Sequence, residues 1–91
     1  MIEKDYTIGN RLGLHARPAS LFVKTTGRFT AACKIRKNEQ EVDGKSIMGL
    51  LMLAAGSGTL LKITADGPDE AGLIQALDDL FARKFDDEDP N

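Results

Sequence analysis

The chain has 91 residues, of which 42% are hydrophobic and 29% charged, and its formal net charge is −2. This length allows one hydrophobic core, and the composition is that of a folded domain rather than a disordered segment. The single cysteine, Cys33, excludes an intrachain disulfide, and with the only histidine, His15, it leaves too few ligands for a structural zinc site. We therefore expect no metal or cofactor.

The N-terminal residues carry charges and lack the apolar segment of a signal peptide. The longest apolar run, residues 47–56, is about half of the roughly 20 residues that a membrane-spanning helix needs. Both features predict a cytoplasmic domain without membrane insertion.

The basic and acidic residues occupy different parts of the chain. Residues 11–38 contain seven basic side chains and no acidic one, and four acidic residues follow one another at 86–89. We expect a folded domain over 1–85 and a solvated acidic tail over 86–91. The basic half could attract a phosphate, a nucleic acid or an acidic protein. Its only aromatic residues, Phe22 and Phe29, fall on core-facing positions, so none is left to stack on bases and nucleic acid is not an expected partner.

In the first half of the chain, alternating apolar residues predict a strand over 2–8 and another over 29–37. A helix is predicted between them over 16–27, with Pro18 in its first turn and Gly27 at its end. In the second strand the residues expected to face inward are Phe29, Ala31, Cys33 and Ile35.

The second half begins with a turn at 38–39 and a short strand over 40–43. Ser46 is a favoured N-cap for an apolar helix over 47–53, and a strand is predicted over 60–65. Pro68 is expected at the first position of a last helix that runs to about Phe85. The core side of the apolar helix is expected to contain Ile47, Leu50, Leu53 and Ala54.

The resulting order, β-α-β-β-α-β-α, predicts an α+β domain of two layers, with three helices against a one-sided sheet. The first strand, first helix and second strand form a right-handed unit with another strand inserted between the two strands.

His15 stands directly before the first helix and is followed by Arg17 in the first turn. A lone histidine is often only a surface residue or a helix cap. However, a helix N-terminus binds anions, and an arginine there opposes the helix dipole and so suggests a function. Gly13 permits an unusual turn that would place the imidazole over the helix end. An imidazole beside a guanidinium suits a phosphoryl group.

The outer face of the first helix carries Arg17, Ser20, Lys24 and Arg28, which could be only a solvated face. The apolar helix has more hydrophobic residues than one core stripe needs, so Met48 and either Leu51 or Met52 should face outward. This helix is then either deeply buried in a small core or an exposed, adaptable docking patch.

The strings GLHARPA and GKSIMGLLML resemble the HPr family, the histidine-containing phosphocarriers of the phosphoenolpyruvate-dependent phosphotransferase system. The resemblance covers residues 2 to about 85. It implies an open-faced β-sandwich with a four-stranded antiparallel sheet and three helices on one face. It also implies phosphorylation of His15 at Nδ1 with Arg17 as its partner, and a regulatory phosphorylation of Ser46.

By the same resemblance, the docking surface for enzyme I and for IIA-type acceptor domains contains Ala16, Ser20, Ile47, Met48 and Leu51. Around this surface we expect a basic rim of Arg17, Lys24 and Lys45. The protein would be a monomer that carries phosphoryl groups in sugar uptake and its regulation. The string GKSIMG resembles carriers modified by the HPr kinase/phosphorylase. Leu12 and the acidic end instead resemble the nitrogen-related branch of the family. A regulatory HPr-like protein without phosphotransfer and a small basic binding module are the other hypotheses.

Overall fold

The computed structural model describes residues 1–86; most of the predicted acidic tail, residues 87–91, lies outside the described part. The strands are β1 (Ile2–Thr7), β2 (Ala32–Lys37), β3 (Gln40–Asp43) and β4 (Leu60–Asp66), and the α-helices are α1 (Ala16–Thr26), α2 (Ile47–Met52) and α3 (Glu70–Ala82). A single 3-10 turn, Lys84–Asp86, follows α3. Within residues 1–86, no helix has the length and apolar character needed to cross a bilayer.

The four strands form one antiparallel sheet in the order β1-β4-β2-β3. The inserted strand that the sequence predicted is β4, which pairs with β1 on one side and with β2 on the other. Because both pairings are antiparallel, β1 and β2 run in the same direction, and α1 connects them across the sheet. The α2 connection from β3 to β4 skips β2 in the same way.

Alternate residues of each strand face the helices and form the core. Cys33 on β2 is one of them, and its burial raises the pKa of its thiol to about 12. The next loop packs tightly on this side chain, since a Cβ added to Gly44 would lie 2.5 Å from the Cys33 Sγ. The opposite face of the sheet is exposed and carries charged side chains, among them Glu3, Asp5, Lys34, Arg36, Glu41 and Lys62.

The predicted start of β2 was wrong, because the residues before Ala32 bind a carboxylate instead of a neighbouring strand. The backbone N–H groups of Thr30 and Ala31 donate to Asp69 at 2.8 and 2.7 Å. Asp69 is the N-cap of α3, yet its side chain does not cap that helix. The predicted place of Pro68 was wrong for the same segment, since α3 begins two residues later, at Glu70.

The predicted end of the last helix was also wrong. Helix α3 ends at Ala82, and three successive residues, Lys84, Phe85 and Asp86, have positive φ angles. This reversal keeps Phe85 fully buried, with its ring centroid 4.8 Å from that of Phe81. The change of backbone direction after α3 thus accompanies the burial of Phe85 in the core.

Candidate functional site

The loop before α1 is fixed by a glycine and a buried asparagine. Gly13 has a φ of +73°, and a Cβ at this position would lie 2.3 Å from the carbonyl oxygen of Ala55. Asn10 is fully buried and its Nδ2 donates to the Gly13 carbonyl at 2.6 Å, while the Leu14 N–H donates to the Ala55 carbonyl at 2.8 Å. The positive φ that the sequence suggested at Gly13 is therefore confirmed.

His15 is the N-cap residue of α1, and its side chain makes no capping hydrogen bond to the helix. It is half-buried, and its carbonyl accepts the Ala19 N–H at 3.0 Å. Pro18 has no N–H, so the donors of the first turn are the N–H groups of Ala16 and Arg17. Neither of these two groups has an acceptor among residues 1–86. The helix end beside His15 therefore has donors available for an anion.

The residues that the sequence placed on the outer face of α1 are exposed. Arg17, Ser20, Lys24 and Arg28 all lie on the surface, as does Ala16, whereas Ala19 and Phe22 are fully buried on the other side of the helix. No acidic residue occurs in the first turn of α1. The guanidinium of Arg17 and the backbone donors thus give this end of the helix a positive character.

Helix α2 begins with a conventional cap, as the sequence predicted. The Oγ of Ser46 accepts the Gly49 N–H at 3.1 Å, and Ser46 itself has extended backbone angles. The side chain is half-buried, and the helix that follows has no acidic residue in its first turn.

An exposed apolar patch covers the outer side of α2. We define the apolar patch as Ile47, Met48, Leu51 and Met52, with exposed fractions of 41%, 69%, 38% and 66%. The predicted exposure of Met48 is confirmed, but the expectation that Ile47 and Ala54 face the core was wrong. The helix is only six residues long, so it buries Leu50 alone, and Leu53 is buried just past its end. Leu12, 67% exposed, is a further apolar residue in the loop before His15.

The C-terminal end of α2 is held by the β2–β3 hairpin. Lys37 Nζ donates to the Leu53 carbonyl at 2.9 Å, and Gln40 Nε2 donates to the Met52 carbonyl at 3.3 Å. The carbonyl of Ala55, two residues further on, receives the Leu14 N–H. The hairpin, the end of α2 and the loop before His15 are therefore connected through backbone carbonyls. No local pattern predicted these contacts, because the residues are far apart along the chain.

The described residues contain no group of three His, Cys, Asp or Glu side chains that could hold a metal ion. Directly after His15, the first turn of α1 contains the backbone N–H groups of Ala16 and Arg17 and carries the Arg17 side chain. Such a set suits an anionic group rather than a cation.

The fold and this helix end define a class of small α+β domain that presents a histidine at the N-terminus of its first helix. The family model described as the PTS HPr component phosphorylation site matches residues 2–83. The phosphocarrier protein HPr of Cupriavidus necator is 45% identical over 85 residues, which are 93% of this chain and 96% of that protein.

Two solved structures give the same assignment of the fold. The HPr of Thermoanaerobacter tengcongensis superposes with a TM-score of 0.92 at 43% identity, covering 97% of this chain and 99% of that one. The Bacillus subtilis catabolite repression protein Crh, described as a domain-swapped intertwined dimer, superposes with a TM-score of 0.68 at 34% identity, with full coverage of both chains. The chain belongs to the HPr family of the phosphotransferase system.

Proposed function

We propose that this protein is a cytoplasmic phosphocarrier. It accepts a phosphoryl group on His15 from phospho-enzyme I and passes it to IIA-type acceptor domains of the phosphotransferase system, in sugar uptake and its regulation. The observation that supports this most strongly is the position of His15 at an uncapped helix N-terminus, next to two available backbone donors.

Transfer to His15 breaks the bond between phosphorus and the donor atom of phospho-enzyme I and forms a bond between phosphorus and Nδ1 of the imidazole. A loose phosphoryl-transfer transition state needs mainly positioning and charge stabilisation. Here the N–H groups of Ala16 and Arg17 and the Arg17 guanidinium supply them. An anion at a helix N-terminus gains about 0.3–2 kcal/mol. This modest gain is consistent with a group that must be passed on.

The assignment is tested with a His15→Ala variant, purified enzyme I and labelled phosphoenolpyruvate. We expect no labelled variant protein and an unchanged circular dichroism spectrum, since His15 is half-buried and its side chain does not cap α1. Label on the folded variant would show that another residue carries the phosphoryl group.

We propose that the apolar patch, together with Ala16, Ser20 and the basic rim of Arg17, Lys24 and Lys45, docks both enzyme I and the acceptor domains. Exposed methionines suit a surface that adapts to several partners. A Met48→Asp substitution should weaken partner binding several-fold without unfolding the domain. The matched control is Leu60→Asp, which adds the same charge at a 59% exposed leucine of β4, outside the proposed docking surface. Equal weakening by both variants would show that the effect is one of net charge.

We propose that Ser46 is also a regulatory phosphorylation site for an ATP-dependent HPr kinase/phosphorylase. A phosphate of about −1.5 to −2 charges is tolerated at a helix N-terminus, but here it lies next to the exposed Ile47 and Met48. A Ser46→Asp variant should therefore fold normally and accept phosphoryl groups from enzyme I more slowly. A rate equal to that of the wild type at low and moderate salt would leave Ser46 as a helix cap only.

The nitrogen-related branch is a second candidate, because Leu12, which resembles that branch, is exposed three residues before His15. Competition between sugar-branch and nitrogen-branch acceptors for the phosphorylated protein distinguishes the two. We propose a monomer in solution, which sedimentation at micromolar concentration tests; a stable dimer would contradict it.

A further inference from the structure

Helix α2 takes the positive charge at its C-terminal end from another part of the chain. It has no basic residue in its last turn, and the ammonium group of Lys37 on β2 donates to the Leu53 carbonyl at 2.9 Å and to the Ala54 carbonyl at 3.4 Å. A cation near a helix C-terminus is stabilised by the helix dipole and supplies donors to the last carbonyls, which have no partner inside the helix. Lys37 therefore closes the end of α2 from the β2–β3 hairpin.

The residue that these contacts enclose, Ala54, has an unusual backbone conformation. Its φ is +50°, in the left-handed region that favours glycine. It follows the C-cap residue Leu53, at a position where many helices reverse direction through a glycine. The two carbonyls that Lys37 contacts belong to the peptide groups before and after Ala54, so one ammonium group holds both sides of this left-handed turn.

The turn at Ala54 sets the direction of the next carbonyl, which belongs to Ala55. Ala55 is buried, and its carbonyl accepts the N–H of Leu14, the residue directly before His15, at 2.8 Å. A Cβ at Gly13 would lie 2.3 Å from the same carbonyl oxygen. The loop before α1 thus packs closely on this oxygen and follows its position.

We infer that Lys37 is a positioning residue for phosphoryl transfer to His15. Its ammonium group holds the left-handed turn at Ala54 and so fixes the Ala55 carbonyl. That carbonyl in turn fixes Leu14, and the histidine is the next residue along the chain. Lys37 acts through the backbone, and only the consequence for transfer rests on the proposed phosphocarrier function.

The test uses two substitutions of Lys37 and a matched control. Lys37→Met keeps a side chain of similar length without a donor, whereas Lys37→Arg keeps a charged donor. The control, Lys34→Met, removes the same charge from an exposed residue of the same strand, on the open face of the sheet.

Native-state hydrogen exchange measures the hold of Lys37 on the loop. In Lys37→Met we expect the exchange rate of the Leu14 amide, relative to that of the Phe22 amide within α1, to rise about tenfold because the loop opens locally. A role limited to global stability would speed both amides by the same factor. Lys37→Arg should restore most of the protection of Leu14, and Lys34→Met should leave the ratio as in the wild type.

Steady-state phosphorylation by enzyme I measures the consequence for transfer. With Lys37→Met we expect a maximal rate about three- to tenfold lower and a KM within about twofold of the wild type, since a misplaced histidine slows transfer while the apolar patch keeps its side chains. Lys37→Arg and Lys34→Met should both react at close to the normal rate.

The two readouts separate the two steps of the inference. An unchanged exchange ratio in Lys37→Met, or the same change in Lys34→Met, would overturn the link from Lys37 to the loop. A changed ratio with a normal maximal rate, or with a rise in KM alone, would overturn the positioning role in transfer. Absence of phosphorylation of the wild type by active enzyme I would overturn the phosphocarrier function, while the exchange rates would still decide whether Lys37 holds the loop.

Discussion

Helices α1 and α2 begin in similar backbone geometry but use their N-cap residues differently. His15 and Ser46 both have extended angles, yet only Ser46 returns its side chain to the helix, where its Oγ accepts the Gly49 N–H. A capped end satisfies its donors within the chain and gains stability. The start of α1 gives up that gain and keeps two donors available beside a histidine. The difference separates a helix end that stabilises the fold from one suited to a ligand.

The largest expected effect comes from changing the loop before α1. This loop holds the N-terminal end of α1, which we call the open end because the Ala16 and Arg17 N–H groups have no acceptor among residues 1–86. A Gly13→Ala substitution places a Cβ 2.3 Å from the Ala55 carbonyl at a φ of +73°, so the loop must move. We expect a loss of about 1–3 kcal/mol of stability and at least a tenfold slower phosphorylation of His15. Urea unfolding and phosphorylation kinetics measure these two quantities.

Gly56→Ala is the control for this change, because its added Cβ meets nothing within 4 Å. It should leave both stability and rate close to the wild type. If Gly13→Ala lowers stability but leaves the rate unchanged, the open helix end does not depend on this loop.

The second effect concerns the arginine at the open end. Arg17→Lys keeps the charge but loses the planar pair of donors, and we expect about tenfold slower transfer both from enzyme I and to an acceptor. Melting should change little, because Arg17 is exposed. Arg36→Lys makes the same exchange on the open face of the sheet and should transfer at the normal rate. Normal transfer by the Arg17 variant would remove the guanidinium from the proposed mechanism.

The capped end of α2 should respond in stability rather than in transfer. Ser46→Ala leaves the Gly49 N–H without its acceptor and should cost about 0.5–2 kcal/mol in chemical unfolding. Phosphorylation of His15 by enzyme I should stay within about twofold of the wild type, a limit that corresponds to only ~0.4 kcal/mol. A much slower transfer would mean that the cap of α2 also positions the docking face.

The smallest effect is expected at the start of α3. There the N-cap residue, Asp69, neither caps its own helix nor stands beside the proposed phosphorylation site. Its carboxylate accepts the Thr30 and Ala31 N–H groups, and the Thr30 hydrogen bond is the main cause that lowers the pKa of Asp69. A lowered folded-state pKa adds stability above the unfolded value of about 3.9, and this stability disappears as the pH falls through the folded value. Asp69→Asn should therefore flatten the pH dependence of unfolding below about pH 4. An unchanged slope would mean that this carboxylate contributes no pH-dependent stability.

The sequence predicted the parts of this molecule that depend on local pattern. Alternating residues located the strands, and the sequence from Gly13 to Arg17 identified the open helix end. It did not predict where Asp69 would be used, because that carboxylate serves N–H groups 38 and 39 residues away. The helical period wrongly placed Ile47 on the core side because it assumed a longer helix than the six residues of α2, whereas the family resemblance placed Ile47 on the docking surface. The contact of Lys37 with the end of α2 likewise depends on the tertiary fold.

The burial of Cys33 also makes its thiol a natural reporter of how often the sheet and the helices separate. The thiol is 2% exposed, and its raised pKa keeps it protonated at neutral pH. Since only the thiolate reacts with alkylating reagents, the folded protein should be labelled extremely slowly. Labelling would then measure how often the sheet and helix layers separate, without an added fluorophore or denaturant. The same measurement could be made on the unmodified, His15-phosphorylated and Ser46-substituted forms. The labelling rates would then compare the stability of these three forms under native conditions.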